Sequence, residues 1–358
     1  MLLRPACLVG VGYAVILVLL LMTHKWDPLF FATLGPQWAR HDPAGVKRAD
    51  GMIFHTIATD PFGQGVRFGD YRIERILYPM LARWVAAGRP ALIAWALLLL
   101  NWAGIVVGTE LMHRLLSRAG APSGMALVYG AWGGLGAALL RDTAEPVAYA
   151  LALLGLWWLL SGRTWLGCAA CFGAILSRET VVLLIGPYLV LAAGRTRLRR
   201  WLPALVVAGL WLAWLLSVRY LLHASVIARP TPIPFSGLLS IRRLDFPVTL
   251  VVLIIPAVVA AVLAVRGLVR GPTDARLWSV LLNAMLVLSL PAPTAAMFWH
   301  SGRTSTGLVA STLLATPFEG FAPRAWRVLI LLYASSVLWT IAVVVRYLCF
   351  DVLVLPGT

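Results

Sequence analysis

Long apolar runs alternate along this chain with short gaps that carry arginine. The runs fall at about 5–22, 90–112, 124–140, 144–160, 164–177, 180–193, 201–222, 247–265, 277–293, 304–318 and 328–345. A helix needs about 20 mostly apolar residues to cross a hydrocarbon core. The pattern therefore predicts an all-α, polytopic transmembrane protein of about 11 spans, in one domain covering 1–358. Several runs are short, which suits broken or half-inserted helices as well as full crossings. A single helix over 164–193 would be about 45 Å long at 1.5 Å per residue, well beyond the hydrocarbon thickness. That stretch is read instead as two short segments meeting at Ser177-Arg178-Glu179-Thr180.

Arg4 and the run to Met22 look like a signal peptide, but Leu21-Met22-Thr23-His24-Lys25 has no small-x-small cleavage site. The first run reads as an uncleaved span with a cytoplasmic N-terminus. The short inner loops then carry Arg114 and Arg118; Arg163; Arg195, Arg197, Arg199 and Arg200; Arg266, Arg270 and Arg276; Arg324 and Arg327. That is the positive-inside bias. The arginine-rich first loop falls outside, and loops beyond about 60 residues largely escape the rule. The same alternation brings Asp50, the turn Arg141-Asp142-Thr143-Ala144-Glu145, Arg178-Glu179 and His300 to Arg303 to one outer face. Ionisable groups at membrane depth are costly and are functional candidates by default. Four such clusters on one side predict a shared cavity.

The main polar interruption is the 67-residue loop from Thr23 to Arg89. It holds six of the fourteen acidic residues (Asp27, Asp42, Asp50, Asp60, Asp70, Glu74) and both lysines. Within it, 71–87 has an amphipathic helical pattern. Ile73, Ile76, Leu77, Met80, Leu81, Trp84 and Val85 form a stripe, while Arg72, Glu74, Arg75 and Arg83 lie off it. Such a helix is suited to the membrane interface, with Arg72 or Arg75 placed to grip a lipid phosphate. Asp50-Gly51 reads either as a turn dipeptide or as the seat of a catalytic carboxylate. Arg178-Glu179 is either a structural ion pair where two helices meet or a pair whose arginine also holds phosphate. Met297-Phe298-Trp299-His300-Ser301-Gly302-Arg303 suits a sugar or lipid site, or an aromatic belt with a snorkelling arginine. The proline-rich stretch Arg229-Pro230-Thr231-Pro232-Ile233-Pro234 reads as an external loop or lid, with Arg229, Arg242 and Arg243 bordering a substrate entrance. Glu110 reads as interfacial.

Composition excludes several classes. Sixty-one per cent hydrophobic residues and 12% charged lie far from the globular norm. The net charge of +16 does not imply a nucleic-acid partner, because the arginines are scattered between apolar runs rather than gathered on one face. Arginine outnumbers lysine 28 to 2, which points to a GC-rich, bacterial source. Cys7 and Cys349 lie at opposite ends, and Cys168 and Cys171 sit inside an apolar run as small helix-packing residues. The chain has neither metal-ligand spacing nor a Gly-rich nucleotide loop, which argues against a soluble nucleotide-sugar donor.

Three stretches of the first loop carry a family resemblance: Ala49-Asp50-Gly51, Asp60-Pro61-Phe62 and Tyr71-Arg72-Ile73-Glu74-Arg75-Ile76-Leu77-Tyr78-Pro79. Together they resemble bacterial membrane proteins related to the GT-C glycosyltransferase superfamily, with Ala49 standing where the family has tyrosine. The likeness reappears at Asp142-Thr143-Ala144-Glu145-Pro146 and Leu176-Ser177-Arg178-Glu179-Thr180, and covers roughly 45–185. It implies a GT-C-like fold and transfer of a sugar from a polyprenyl-phosphate donor to a glycan, lipid or protein acceptor outside the plasma membrane. Asp50 matches the family's first essential carboxylate and Asp142 the second, with Glu145 as a substitute for Asp142. A carboxylate would take the acceptor's proton, and arginines would stabilise charge on the departing phosphate. Arg72, Arg75, Arg178, Glu179, His300 and Arg303 are the candidate donor-phosphate or substrate-binding residues. A divalent metal assisting Asp50 and Asp142 stays open. Two other classes fit the pattern: a transporter or flippase of a lipid-linked substrate, built on broken helices, and a non-catalytic scaffold relative of the family.

Overall fold

Backbone polar groups inside an apolar segment have no water to bond, so the segment satisfies them internally as helix. The computed structural model describes residues 4–33, 50–61, 70–193, 198–220, 235–241, 245–271, 273–316 and 323–350, and among them regular structure is helical throughout. In chain order the helices are α1 (Pro5–Thr23), α2 (Leu29–Thr33), α3 (Asp50–Thr59), α4 (Leu77–Val85), α5 (Pro90–Arg118), α6 (Ala126–Gly130), α7 (Gly133–Leu139), α8 (Glu145–Leu160), α9 (Thr164–Ser177), α10 (Val182–Ala193) and α11 (Leu198–Tyr220). They continue as α12 (Phe246–Arg270), α13 (Ala275–Leu288), α14 (Ala292–Ala295), α15 (Phe298–Thr304), α16 (Thr306–Ala315), α17 (Pro323–Ala334) and α18 (Ser336–Phe350).

Five stretches are long and apolar enough to cross a membrane: α1, α5, Trp201–Tyr220 in α11, α12, and Arg327–Arg346 across α17 and α18. Helices α8, α9, α13 and α16 and the stretch Glu179–Val190 are apolar but shorter. The run at 124–140 is not one helix. It breaks at Ala131 and Trp132, and α7 follows as a glycine-rich piece. At Gly134 a Cβ would overlap the carbonyl oxygen of Gly302, so backbone lies on backbone where α7 meets α15. Small residues permit such approach in apolar surroundings. In the tightly packed α8–α9 pair, a Cβ on Gly155 would collide with Cys171 Sγ. Cys168 and Cys171 are buried free thiols there, in a packing role.

Polar contacts mark two ends of the bundle. Arg4, before α1, reaches Glu110 near the end of α5, and Glu110 also holds Arg114 at 2.8 Å. Arg118 donates to the carbonyl of Leu160 at the end of α8. The opposite end gathers the starts of α3 and α8, the α9–α10 junction and α15. Helix α9 stops at Ser177, Arg178 is extended (φ −158°, ψ 116°), and the chain restarts as a 3-10 turn over Glu179–Val181. The division of 164–193 into two segments thus holds.

The expected helix over 71–87 begins instead as a 3-10 turn, Asp70–Arg75, and becomes α-helical over Leu77–Val85. Tyr78, Ala82 and Ala86 face the protein, whereas Trp84 and Val85 of the apolar stripe point outward. Only the C-terminal end of the stripe thus faces outward, while Ile73 is buried and Ile76 and Leu81 pack against buried clusters. The proline-rich stretch with Arg229, together with Arg242 and Arg243, lies outside the described residues, as do Ala49 and Phe62.

Candidate functional site

Asp50 opens α3, a position where a carboxylate complements the exposed N–H groups and dipole of a helix start. Gly51 has a different task. A Cβ there would overlap the Arg141 carbonyl oxygen and crowd Ala32 Cα, so glycine lets the first loop lie directly on the 141–145 turn. This contact, rather than a turn, accounts for the Asp-Gly pair.

Two guanidinium groups from distant segments hold Asp50. Arg72 Nε donates to Oδ1 at 2.6 Å, and Arg303 Nη2 donates to Oδ2 at 3.0 Å. Burial alone would raise the Asp50 carboxyl, but Arg303, Arg72 and Arg75 outweigh it and hold the group well below the usual carboxylate range. Arg303 is itself fixed by its α15 neighbours. Its Nε donates to the Trp299 carbonyl at 3.0 Å, and Nη2 lies 3.0 Å from His300 Nδ1. Its remaining nitrogen, Nη1, is buried without a hydrogen-bond partner and lies 4.0 Å from Glu145 Oε1.

Glu145, the first residue of α8, is fully buried and pairs with Arg178 Nη1 at 2.9 Å. The approach is a close ion pair without hydrogen-bond alignment, since neither Glu145 oxygen has a hydrogen-bond partner. Arg178 also reaches Thr304 Oγ1 at 3.3 Å, tying the α9–α10 junction to α15. Beside this chain, Arg75 grips Glu179 with two parallel bonds of 2.9 and 2.8 Å. Arg178 and Glu179 are therefore not each other's ion-pair partner: Arg178 takes Glu145, and Glu179 takes Arg75. One continuous path, Arg72–Asp50–Arg303–Glu145–Arg178, links the first loop, α15, α8 and the α9–α10 junction.

Asp142 stands apart from that path. It has positive φ (47°), and the next N–H, of Thr143, bonds to the Ala138 carbonyl at 3.0 Å, closing the end of α7 in the manner of a Schellman cap. Its carboxylate is fully buried, and neither oxygen has an aligned hydrogen bond. Burial pushes its carboxyl well above the usual carboxylate range, with the nearby Asn101 amide only partly opposing the shift. Asn101 in turn donates to Tyr78 Oη at 2.7 Å. Among the described residues, Glu145 rather than Asp142 supplies the second carboxylate in contact with the arginines.

His300 is neutral in this setting. Burial, then Arg141 and Arg303, push it down to about 3. The aromatics beside it do not form a belt: Phe298 and Trp299 are buried and pack edge-on against Trp339. Arg141 lies over the Trp299 ring at 4.4 Å, covering one face. Arg141, Thr304, Asn101 and Tyr78 are site neighbours that sequence reasoning did not assign. Tyr78 gave a signal by lying inside a stretch that carries the family resemblance, and Arg141 by opening the polar 141–145 turn.

No family model, curated protein or solved structure matches the chain. The site must be read from its own chemistry. Among the described residues no group of three or more His, Cys, Asp or Glu side chains is placed to hold a metal ion. What the site contains is ionised carboxylates shared among guanidinium groups, one of which has an unused buried donor. Such an arrangement suits an oxyanion ligand, because the guanidinium fork matches phosphate oxygens.

Proposed function

We propose that the chain is a membrane glycosyltransferase of GT-C type, with about 11 membrane-inserted segments, that uses a polyprenyl-phosphate-linked sugar. The observation that supports this most is Asp50 held between Arg72 and Arg303 beside the unused Nη1 of Arg303. A donor phosphodiester competes with Asp50 for these guanidinium groups. As they turn to the phosphate, Asp50 loses the charges that suppress its basicity while its burial remains, so it becomes a stronger base. The acceptor hydroxyl then gives its proton to Asp50 as its oxygen bonds to the sugar's anomeric carbon. The bond from that carbon to phosphate oxygen breaks, and the polyprenyl phosphate leaves with the electron pair and one more negative charge. Arg303, with Arg72 or Arg178, is positioned to meet that growing charge. Glu145 fixes Arg178 and Arg303 for the task.

The test is transfer from a labelled polyprenyl-phosphate sugar in proteoliposomes. Asp50→Asn should remain folded and lose transfer. A transporter or flippase is the alternative, favoured by the broken helices at 131–132 and 178. Against it stands the gathering of charged groups at one end of the bundle. Movement of the intact lipid-linked sugar across a bilayer, without bond cleavage, would establish that alternative.

A further inference from the structure

At the end of the bundle opposite Asp50 lies a cavity of about 650 Å³. Leu160 on its wall and Glu145 in the site are the two ends of α8, so some 22 Å separate them at 1.5 Å per residue. The walls are largely apolar, with Leu115, Leu160 and Leu314 among them, and the rim carries Arg118, Asp274 and Arg276. Two of these charges cancel. Arg276 grips Asp274 at 2.7 Å, and its backbone N–H is capped by the same carboxylate at 2.8 Å. Arg118 is different. It donates to the Leu160 carbonyl at 2.6 Å and to Ser161 Oγ at 3.0 Å, both neutral acceptors. Among the described residues no carboxylate pairs with it.

We propose that this cavity binds an anionic phospholipid, its phosphodiester on Arg118 and an acyl chain against the leucine walls. Neutral acceptors orient the Arg118 fork without cancelling its charge, and the apolar walls beside it match an amphiphile rather than a free ion. Basic pockets between membrane helices are known to take such headgroups. The site is independent of the sugar-transfer reading.

The experiment uses the full-length protein in phosphatidylcholine nanodiscs, with or without phosphatidylglycerol, and in phosphatidylcholine with inorganic phosphate added. Phosphatidylglycerol should raise the unfolding midpoint and be retained in native mass spectrometry, while inorganic phosphate does neither. Arg118→Gln should weaken phosphatidylglycerol retention ~10-fold, the loss expected for a charge-assisted hydrogen bond. Should that variant fail to fold, Ala119→Trp obstructs the mouth from an exposed rim position and must lower retention likewise. Equal retention in wild type and variant, or a midpoint shift reproduced by phosphate alone, would overturn the proposal.

Discussion

Asp50→Asn separates the role of Asp50 as a base from its role as a counter-ion. The substitution keeps the shape of the side chain and removes its charge. Two charge-assisted bonds, 2.6 Å to Arg72 and 3.0 Å to Arg303, lose their ionic part, and the new amide must turn an N–H toward one guanidinium. Breaking a fully buried pair by removing one partner costs about 3–5 kcal/mol. The Asp50 side chain is 16% exposed, so water screens part of this, and Glu145 lies 4.0 Å from Arg303 to take up some stranded charge. A stability loss of about 1–3 kcal/mol follows, the range for a buried polar group left without its partner. Losing a general base costs ~10²–10⁴ in rate, or about 3–5 kcal/mol of barrier. Adding Arg72→Gln removes one stranded cation, so the double variant should recover stability relative to Asp50→Asn but not activity. Thermal unfolding in detergent and transfer from labelled donor measure the two separately. Wild-type transfer by Asp50→Asn would refute the base assignment, and recovered transfer in the double variant would show that Asp50 is only a counter-ion.

Gly51→Ala should lower the unfolding midpoint by an overpacking cost of about 1–3 kcal/mol, despite alanine's better helix propensity, because its Cβ meets the Arg141 carbonyl. An unchanged midpoint would mean the first loop does not lie on that turn. Arg75→Gln and Glu179→Gln, measured singly and together, should give a coupling energy near ~1 kcal/mol, since Glu179 is 31% exposed and solvent screens the pair; no coupling would discard the clamp. His300, at about 3 in the folded protein against 6.5 as the ordinary value, is protonated in the unfolded chain but not the folded one between those values. Stability should therefore fall as pH drops below about 6.5, and His300→Gln should flatten that part of a pH–stability profile. Asp50 has a lowered folded value, so its contribution is present above the unfolded value of about 3.9 and is lost only in stronger acid.

Much of the helical layout was legible because apolar runs leave the backbone few alternatives. The break at Ser177-Arg178-Glu179-Thr180 was legible too, since a single helix over 164–193 would be about 45 Å long and overshoot the hydrocarbon thickness. Partner choice was not legible. Arg178 is extended, so side chains on either side of it diverge, and adjacent residues find separate partners: Glu145 for one and Arg75 for the other. The 3-10 start of the 70–75 segment was equally hidden, although it matters for the site. At three residues per turn, positions i and i+3 eclipse, which aligns Arg72 and Arg75 on one side, toward Asp50 and Glu179. The aromatic-belt reading of Phe298 and Trp299 failed because belt residues need a helix end at the interface. Here the Gly134–Gly302 approach draws α15 into the bundle instead.

The same limit bears on Asp142 and Glu145, which the structure places in different surroundings. Three residues apart on one helix, both would face the same way, and either could serve. Asp142 instead occupies a left-handed cap, so the helical phase restarts after it and Glu145 alone meets Arg178 and Arg303. Burial raises the Asp142 carboxyl above the usual carboxylate range, and among the described residues it makes no ion pair with Arg178 or Arg303. Under the proposed function, Glu145→Gln should strand Arg178 and weaken donor binding, raising KM for the lipid-linked sugar. Asp142→Asn, which keeps the shape of a side chain that meets neither Arg178 nor Arg303, should leave KM nearly unchanged. Parallel kinetics on the two variants decide the matter, and a KM rise in Asp142→Asn equal to that in Glu145→Gln would show that both carboxylates serve one charged centre.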